Sequence, residues 1–131
     1  MRILAGWDWL LVGVGGAVGA MARYGVGRVV AARLGTAFPW GTLLINVSGA
    51  FLIGVLLTAL ARRGDSDDAW RLVLAVGFLG GYTTFSAFAY ETVGLLERGD
   101  AARAALYVLG SNGLGLLACV AGIALARAIV P

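Results

Sequence analysis

The run Gly80-Gly81-Tyr82-Thr83-Thr84-Phe85-Ser86-Ala87-Phe88 holds the residues best able to do chemistry. It interrupts an apolar segment near its middle. Each of the two glycines would cost a plain helix roughly 1 kcal/mol, so the segment reads as a broken helix. Irregular backbone at membrane depth is tolerated only where it is buried in protein or lines a cavity. Unwound carbonyls carry partial negative charge and coordinate cations in broken transporter helices. A hard cation such as sodium suits Gly80 to Thr83 on that ground, and a kink with a bound water is the alternative. Phe85 and Phe88 follow at i and i+3, on one helical face. A phenyl ring has a negative face and a positive edge. Edge-on rings can therefore touch an anion without trapping it, and conduction needs binding that is favourable but escapable. Taken alone, such rings read as core or lipid packing. Their neighbours raise the anion reading.

Polar side chains inside membrane spans are costly, so each is a site candidate. Arg23 lies toward the end of the first span. Asn46 lies roughly 7 Å into the second, at 1.5 Å per residue. Glu91 stands near the mouth of the third span, with Phe88 and Phe85 deeper. Tyr107 and Ser111 are one turn apart at the start of the fourth. Arg23, Asn46, Phe85, Phe88, Glu91, Tyr107 and Ser111 thus share one half of the membrane, which packing does not require. Asn46 offers amide donors, Thr42 and Ser111 offer hydroxyls, and Arg23 offers positive potential. That set suits a small, strongly hydrated anion. Asn46 could also bridge two helices, and Arg23 could snorkel to the interface. Asn112 points about 100° away from Ser111 and is expected to bridge helices instead.

These residues need spans to position them. The chain is 60% hydrophobic and 13% charged, whereas charged residues form about a quarter of a soluble domain. It therefore reads as an all-α, multi-pass membrane protein. Residues 34–61, 72–90 and 104–126 carry no charge, and each is long enough to span a bilayer, which takes about 20 apolar residues. Together with a first segment they predict one transmembrane domain, residues 1–131, with helices at about 9–33, 41–61, 70–97 and 101–127. Trp7, Trp9, Trp40 and Trp70 fall at helix ends, where an aromatic belt belongs. Residues 62–68 are the most polar stretch and read as a loop. No small-residue cleavage site follows the first apolar run, so that run is expected to be retained.

Orientation follows the arginine and lysine bias of short loops. Here Arg2, Arg62, Arg63, Arg71 and Arg127 face one side, and Arg33, Arg98 and Arg103, with Arg28 nearby, face the other. The near-even split allows insertion both ways, or reflects only the noise of a small chain. The arginines sit mainly at helix ends, which gives no support to nucleic-acid binding. Cys119 is the only cysteine and histidine is absent. Gly15-x-x-x-Gly19 and Gly77-x-x-x-Gly81 have the spacing of close helix packing in lipid. Four helices enclose too little interior for a pore, so an oligomer is expected.

The chain resembles the Fluc (CrcB) family of small bacterial fluoride channels along nearly its whole length. The resemblance rests on residues 16–24, on residues 41–51 around Asn46, on Gly77-Phe78-Leu79 with the run quoted above, and on Tyr107 and Ser111. It implies a dual-topology, antiparallel homodimer of four-helix subunits with two pores. It implies passive export of fluoride across the cell (inner) membrane, hence fluoride resistance, and no enzymatic activity. It places Phe85 and Phe88 in a phenylalanine box and Asn46 in the pore. Thr42, Ser86, Ser111 and Tyr107 line or flank the path, and Arg23 stands in its vestibule. It also implies a structural sodium ion on the backbone carbonyls of Gly80 and Thr83. Two positions depart from the family pattern. Ala87 replaces a common threonine, and Gly115 brings no hydroxyl one turn beyond Ser111. Two rivals are weaker. A small multidrug exporter needs an embedded carboxylate, and Glu91 near a mouth is the sole candidate. A non-transporting assembly subunit leaves the cluster of donors unexplained.

Overall fold

The structure is a computed structural model that describes residues 6–64 and 68–131. Arg2 and the centre of the expected loop, residues 65–67, lie outside the described residues. All regular structure among the described residues is helical. Four helical spans, Gly6–Leu34, Trp40–Arg62, Asp68–Glu97 and Ala101–Ile129, are long and apolar enough to cross a membrane. The chain is a multi-pass membrane protein. In hydrocarbon every backbone group must find a partner within the protein, and a helix provides it locally.

Helix α1 is Gly6–Leu34 and α2 is Trp40–Arg62. Gly35 ends α1 at φ +77°, a left-handed conformation that costs glycine little. Its N–H donates to the Ala31 carbonyl at 2.9 Å. The third span has two halves. Helix α3 covers residues 68–82 and is π-wound over Arg71–Leu79. Thr83 (φ −80°, ψ 157°) and Thr84 (φ −150°, ψ 117°) are extended. Helix α4, Phe85–Glu97, follows. A turn through Gly99, at φ +77°, leads into α5, Ala101–Ile129. The Asp100 carboxylate caps α5 by accepting from the Arg103 N–H at 3.1 Å, which satisfies one of the donors a helix start leaves open.

Glycine sets how the helices pair. α1 lies on α3 with backbone against backbone. A Cβ on Gly15 would strike the Val73 carbonyl, one on Gly19 the Phe78 carbonyl, and one on Gly81 the Gly16 carbonyl. Both four-residue glycine pairs thus meet in one seam. α2 lies on α5 the same way. A Cβ on Gly122 would strike the Phe51 carbonyl, and one on Gly54 would come within 2.5 Å of the Cys119 carbonyl. Lipid supplies no hydrophobic force between helices, so such close contact must hold them. Two small apolar clusters complete the interior. Leu43, Leu95, Ala104 and Tyr107 form one, and Ile45, Leu79 and Tyr82 the other. The Tyr82 hydroxyl shares a 2.9 Å hydrogen bond with Ser48 Oγ. At the far end, Arg62 Nε donates to the Val130 carbonyl at 2.8 Å, tying α2 to the end of α5.

Candidate functional site

One face of α2 carries the site. Thr42, Asn46, Gly49 or Ala50, and Ile53 recur at helical spacing and line two successive cavities. The outer cavity, about 580 Å³, lies between α1, α2 and the C-terminal part of α4. Arg23, Arg28 and Arg98 line it, with Glu91 as the one acid. Three cations against one anion make this an electropositive mouth, and a low-dielectric wall concentrates such a field. Arg28 rests near Tyr24, its guanidinium 5.9 Å from the ring centroid.

Glu91 is held from two sides. Thr42 Oγ1 donates to its Oε1 at 2.8 Å and the Tyr107 hydroxyl to its Oε2 at 2.6 Å. Hydrogen bonds to a charged acceptor are short and strong, and these fix the carboxylate against the wall. Tyr107 has no exposed surface. It lines neither cavity, and its hydrogen bond to Glu91 is its link to the outer one.

The inner cavity, about 420 Å³, collects Asn46, Gly80, Thr83, Phe85, Phe88, Ser111 and Asn112. Asn46 grips the Thr84 peptide with both ends of its amide. Its Nδ2 donates to the Thr84 carbonyl at 2.9 Å, and its Oδ1 accepts from the Thr84 N–H at 2.8 Å. The extended Thr84 therefore leaves none of its backbone groups unpaired, as a buried backbone requires. One amide hydrogen of Asn46 remains. Thr84 also caps α4, its Oγ1 accepting from the Ala87 N–H at 3.2 Å.

The ring of Phe88 packs 5.1 Å from Tyr107 and 5.6 Å from Phe85, centroid to centroid. Phe85 is 78% exposed on the single chain. Ser111 Oγ is buried and has no hydrogen-bond partner among the described residues. A serine in a helix can usually turn its hydroxyl to a carbonyl one turn back, so an unpartnered one is notable.

The carbonyls of Gly80 and Thr83 bear on a bound cation. In a continuous helix Gly80 would accept from the Thr84 N–H, and Thr83 from the Ala87 N–H. Those donors go instead to Asn46 Oδ1 and Thr84 Oγ1. Both residues also line the inner cavity. Neutral oxygens released from helical pairing suit a hard monovalent cation.

The structure therefore brings Arg23 and Thr42 to the outer cavity, and Asn46, Phe85, Phe88, Ser111, Gly80 and Thr83 to the inner one. Ser86 stands apart. It is exposed at the start of α4, 3.3 Å from Thr84 Oγ1, and lines neither cavity. Asn112, expected to bridge helices, donates instead to Val108 of its own helix at 2.7 Å. Its nearest acceptor is the carbonyl one turn back, as for any short polar side chain on a helix. Sequence reasoning misses Arg28, Arg98, Thr84 and the anchoring of Glu91. Thr42, Glu91 and Tyr107 at one depth were the available signal for the last.

Over residues 10–123 the sequence matches the family described as CrcB-like protein, Camphor Resistance (CrcB). The chain belongs to the CrcB family. A CrcB relative from Rhizobium leguminosarum bv. trifolii, named fluoride-specific ion channel FluC, is 49% identical over 120 residues, 92% of this chain and 96% of its own. Proteins of the same name from Rhizobium meliloti and Thermus thermophilus are 49% and 48% identical, over 92% and 93% of this chain and 97% of each of theirs. These relatives are thus named as ion channels, not as enzymes.

Proposed function

We propose that this chain is a fluoride channel that releases cytoplasmic fluoride passively across the cell (inner) membrane and so gives fluoride resistance. The observation that carries the reading is the buried, unpartnered Ser111 hydroxyl. It faces a cavity shared with Asn46 and the rings of Phe85 and Phe88. A buried donor without a partner costs about 1–3 kcal/mol, and a passing anion would recover that. The arginines of the outer cavity raise the local anion concentration. Asn46 has an amide hydrogen to offer once it has clamped Thr84. The ring edges of Phe85 and Phe88 continue the path without a fixed charge.

The pore is completed by a second copy in the opposite orientation. Phe85 and Tyr90 are exposed on the single chain, and the near-even arginine split gives neither insertion an advantage. Gly80 and Thr83 would hold a sodium ion through their carbonyls at the centre of the antiparallel pair, surrounded by lipid-facing helices. When bound, that ion supplies a fixed positive charge between the two subunits. This chain's residues supply the oxygens, and Asn46 and Thr84 keep those oxygens free of helical donors.

The test is efflux from liposomes. Purified protein is reconstituted with potassium fluoride inside, and release is followed with a fluoride electrode after addition of a potassium ionophore. Rapid release of fluoride with retention of chloride is expected. Equal release of both ions, or neither, would sink the proposal.

A further inference from the structure

Among the described residues, Thr84 alone lines both cavities. It therefore stands at the boundary between the two, beside the shortest way from one to the other. We propose that the Thr84 hydroxyl is an anion-contacting donor that hands fluoride from the vestibule to the inner cavity. The inference rests on the fluoride reading above and adds to it a residue at the partition.

The argument is one of remaining donors. The Thr84 N–H and carbonyl are both taken by Asn46. Its hydroxyl oxygen is taken as an acceptor by the Ala87 N–H. The hydroxyl proton is the one polar hydrogen of Thr84 left. Its only partner among the described residues is Ser86 Oγ at 3.3 Å. That is long for a hydroxyl pair, where about 2.7–2.8 Å is usual, so the contact is easily exchanged for a stronger acceptor. Of the other donors near the partition, Asn46 lines the inner cavity alone, so its remaining amide hydrogen serves that side. Thr42 spends its proton on Glu91, and Ser111 lies on the inner side. A small anion gives up hydration water as it enters a narrow path and needs a donor at each step. The cap also aims the proton. With the oxygen lone pair directed at Ala87, and the peptide fixed by Asn46, the O–H is oriented before the ion arrives, and such preorganised donors cost no reorganisation.

The competing explanation is that Thr84 only caps α4, and substitutions separate the two. Thr84→Val removes cap and proton together. Thr84→Asp keeps a capping oxygen, since aspartate is as good a cap as threonine or better, but has no proton to give and adds negative charge. Thr84→Asn keeps the capping oxygen and carries N–H donors. Thr84→Ser restores the hydroxyl. Fluoride efflux per reconstituted channel is measured for all four beside the parent. Thr84→Val and Thr84→Asp should be slower by about tenfold or more, the scale of one hydrogen bond to a charged group. Thr84→Ser and Thr84→Asn should rescue flux relative to those two. Should Thr84→Val fail to assemble, the Asp and Asn pair decides. Parental flux in Thr84→Asp, or equal loss in Thr84→Asn and Thr84→Asp, would overturn the inference while fluoride conduction by the parent stood. A parent that releases no fluoride would remove both.

Discussion

Asn46→Asp is the sharpest perturbation of the pathway. The two side chains have nearly the same volume and differ in one group, an amide NH2 against a carboxylate oxygen. In the structure that NH2 donates to the Thr84 carbonyl at 2.9 Å, while Oδ1 accepts from the Thr84 N–H. The substitution keeps the second bond and destroys the first. It also sets a carboxylate oxygen against a carbonyl oxygen. Leaving that carbonyl unpaired costs about 1–3 kcal/mol, enough to loosen Thr84 without unfolding four spans. The effect on the ion is larger. A fluoride ion about 4 Å from the new charge would be repelled by about 4 kcal/mol at an effective dielectric constant near 20. At 1.4 kcal/mol per tenfold, that lowers occupancy of the inner cavity by roughly a thousandfold. Fluoride efflux from liposomes, normalised to protein that elutes as the parent does, should therefore fall to the background leak. Parental flux from a correctly assembled Asn46→Asp channel would refute the placement of Asn46 at the path and the ring-edge route beyond it.

Phe85→Ile and Phe88→Ile should each cut efflux severely while changing thermal stability little, because a swap of similar volume usually costs under about 1.5 kcal/mol yet removes the positive ring edge. Parental conduction by both would end the ring-edge account. Arg28→Gln and Arg98→Gln, alone and together, should slow efflux about three- to tenfold at low ionic strength, in keeping with electrostatic focusing. The deficit should vanish near 1 M salt, where the Debye length is about 3 Å, and a deficit independent of salt would point to a structural role. Gly19→Ala should lower thermal stability by about 1–3 kcal/mol, the usual cost of overpacking. Gly13→Ala should not, because a Cβ there meets nothing within 4 Å, and equal melting shifts for the two would contradict the seam.

Much of this arrangement is legible in the sequence, for a physical reason. A polar side chain in an apolar span is expensive, so Asn46 and Ser111 stand out unaided and their depths follow from counting residues. The glycine spacing at Gly15, Gly19, Gly77 and Gly81 likewise names a close contact. It does not say that the two pairs face each other, since that depends on which helices become neighbours. The same gap hides the second task of Asn46. Its grip on Thr84 joins residues 38 apart in the chain, and no local pattern encodes that. Glu91 reads from sequence as a stray acid near a mouth. Only packing shows Thr42 and Tyr107 converging on its two oxygens. Ser86 belongs to the same distinctive run, and its position there does not by itself say which way the side chain turns; on the single chain it is exposed and lines neither cavity.

The glycine seam between α1 and α3 has a thermodynamic consequence of its own. Where two helices meet through leucines, docking freezes rotamers, and each buried leucine loses about 0.5–1 kcal/mol of side-chain entropy. Gly15, Gly19, Gly77 and Gly81 have no rotamers to lose. Their contact is between main chains already rigid before the helices meet, so docking in the bilayer gives up almost no internal freedom. At those four positions no side chain stands between the helices to hop between wells. α1 and α3 then behave mechanically as a single plate. Any movement that an ion requires falls to α4, the short helix that follows the extended residues at the edge of that plate.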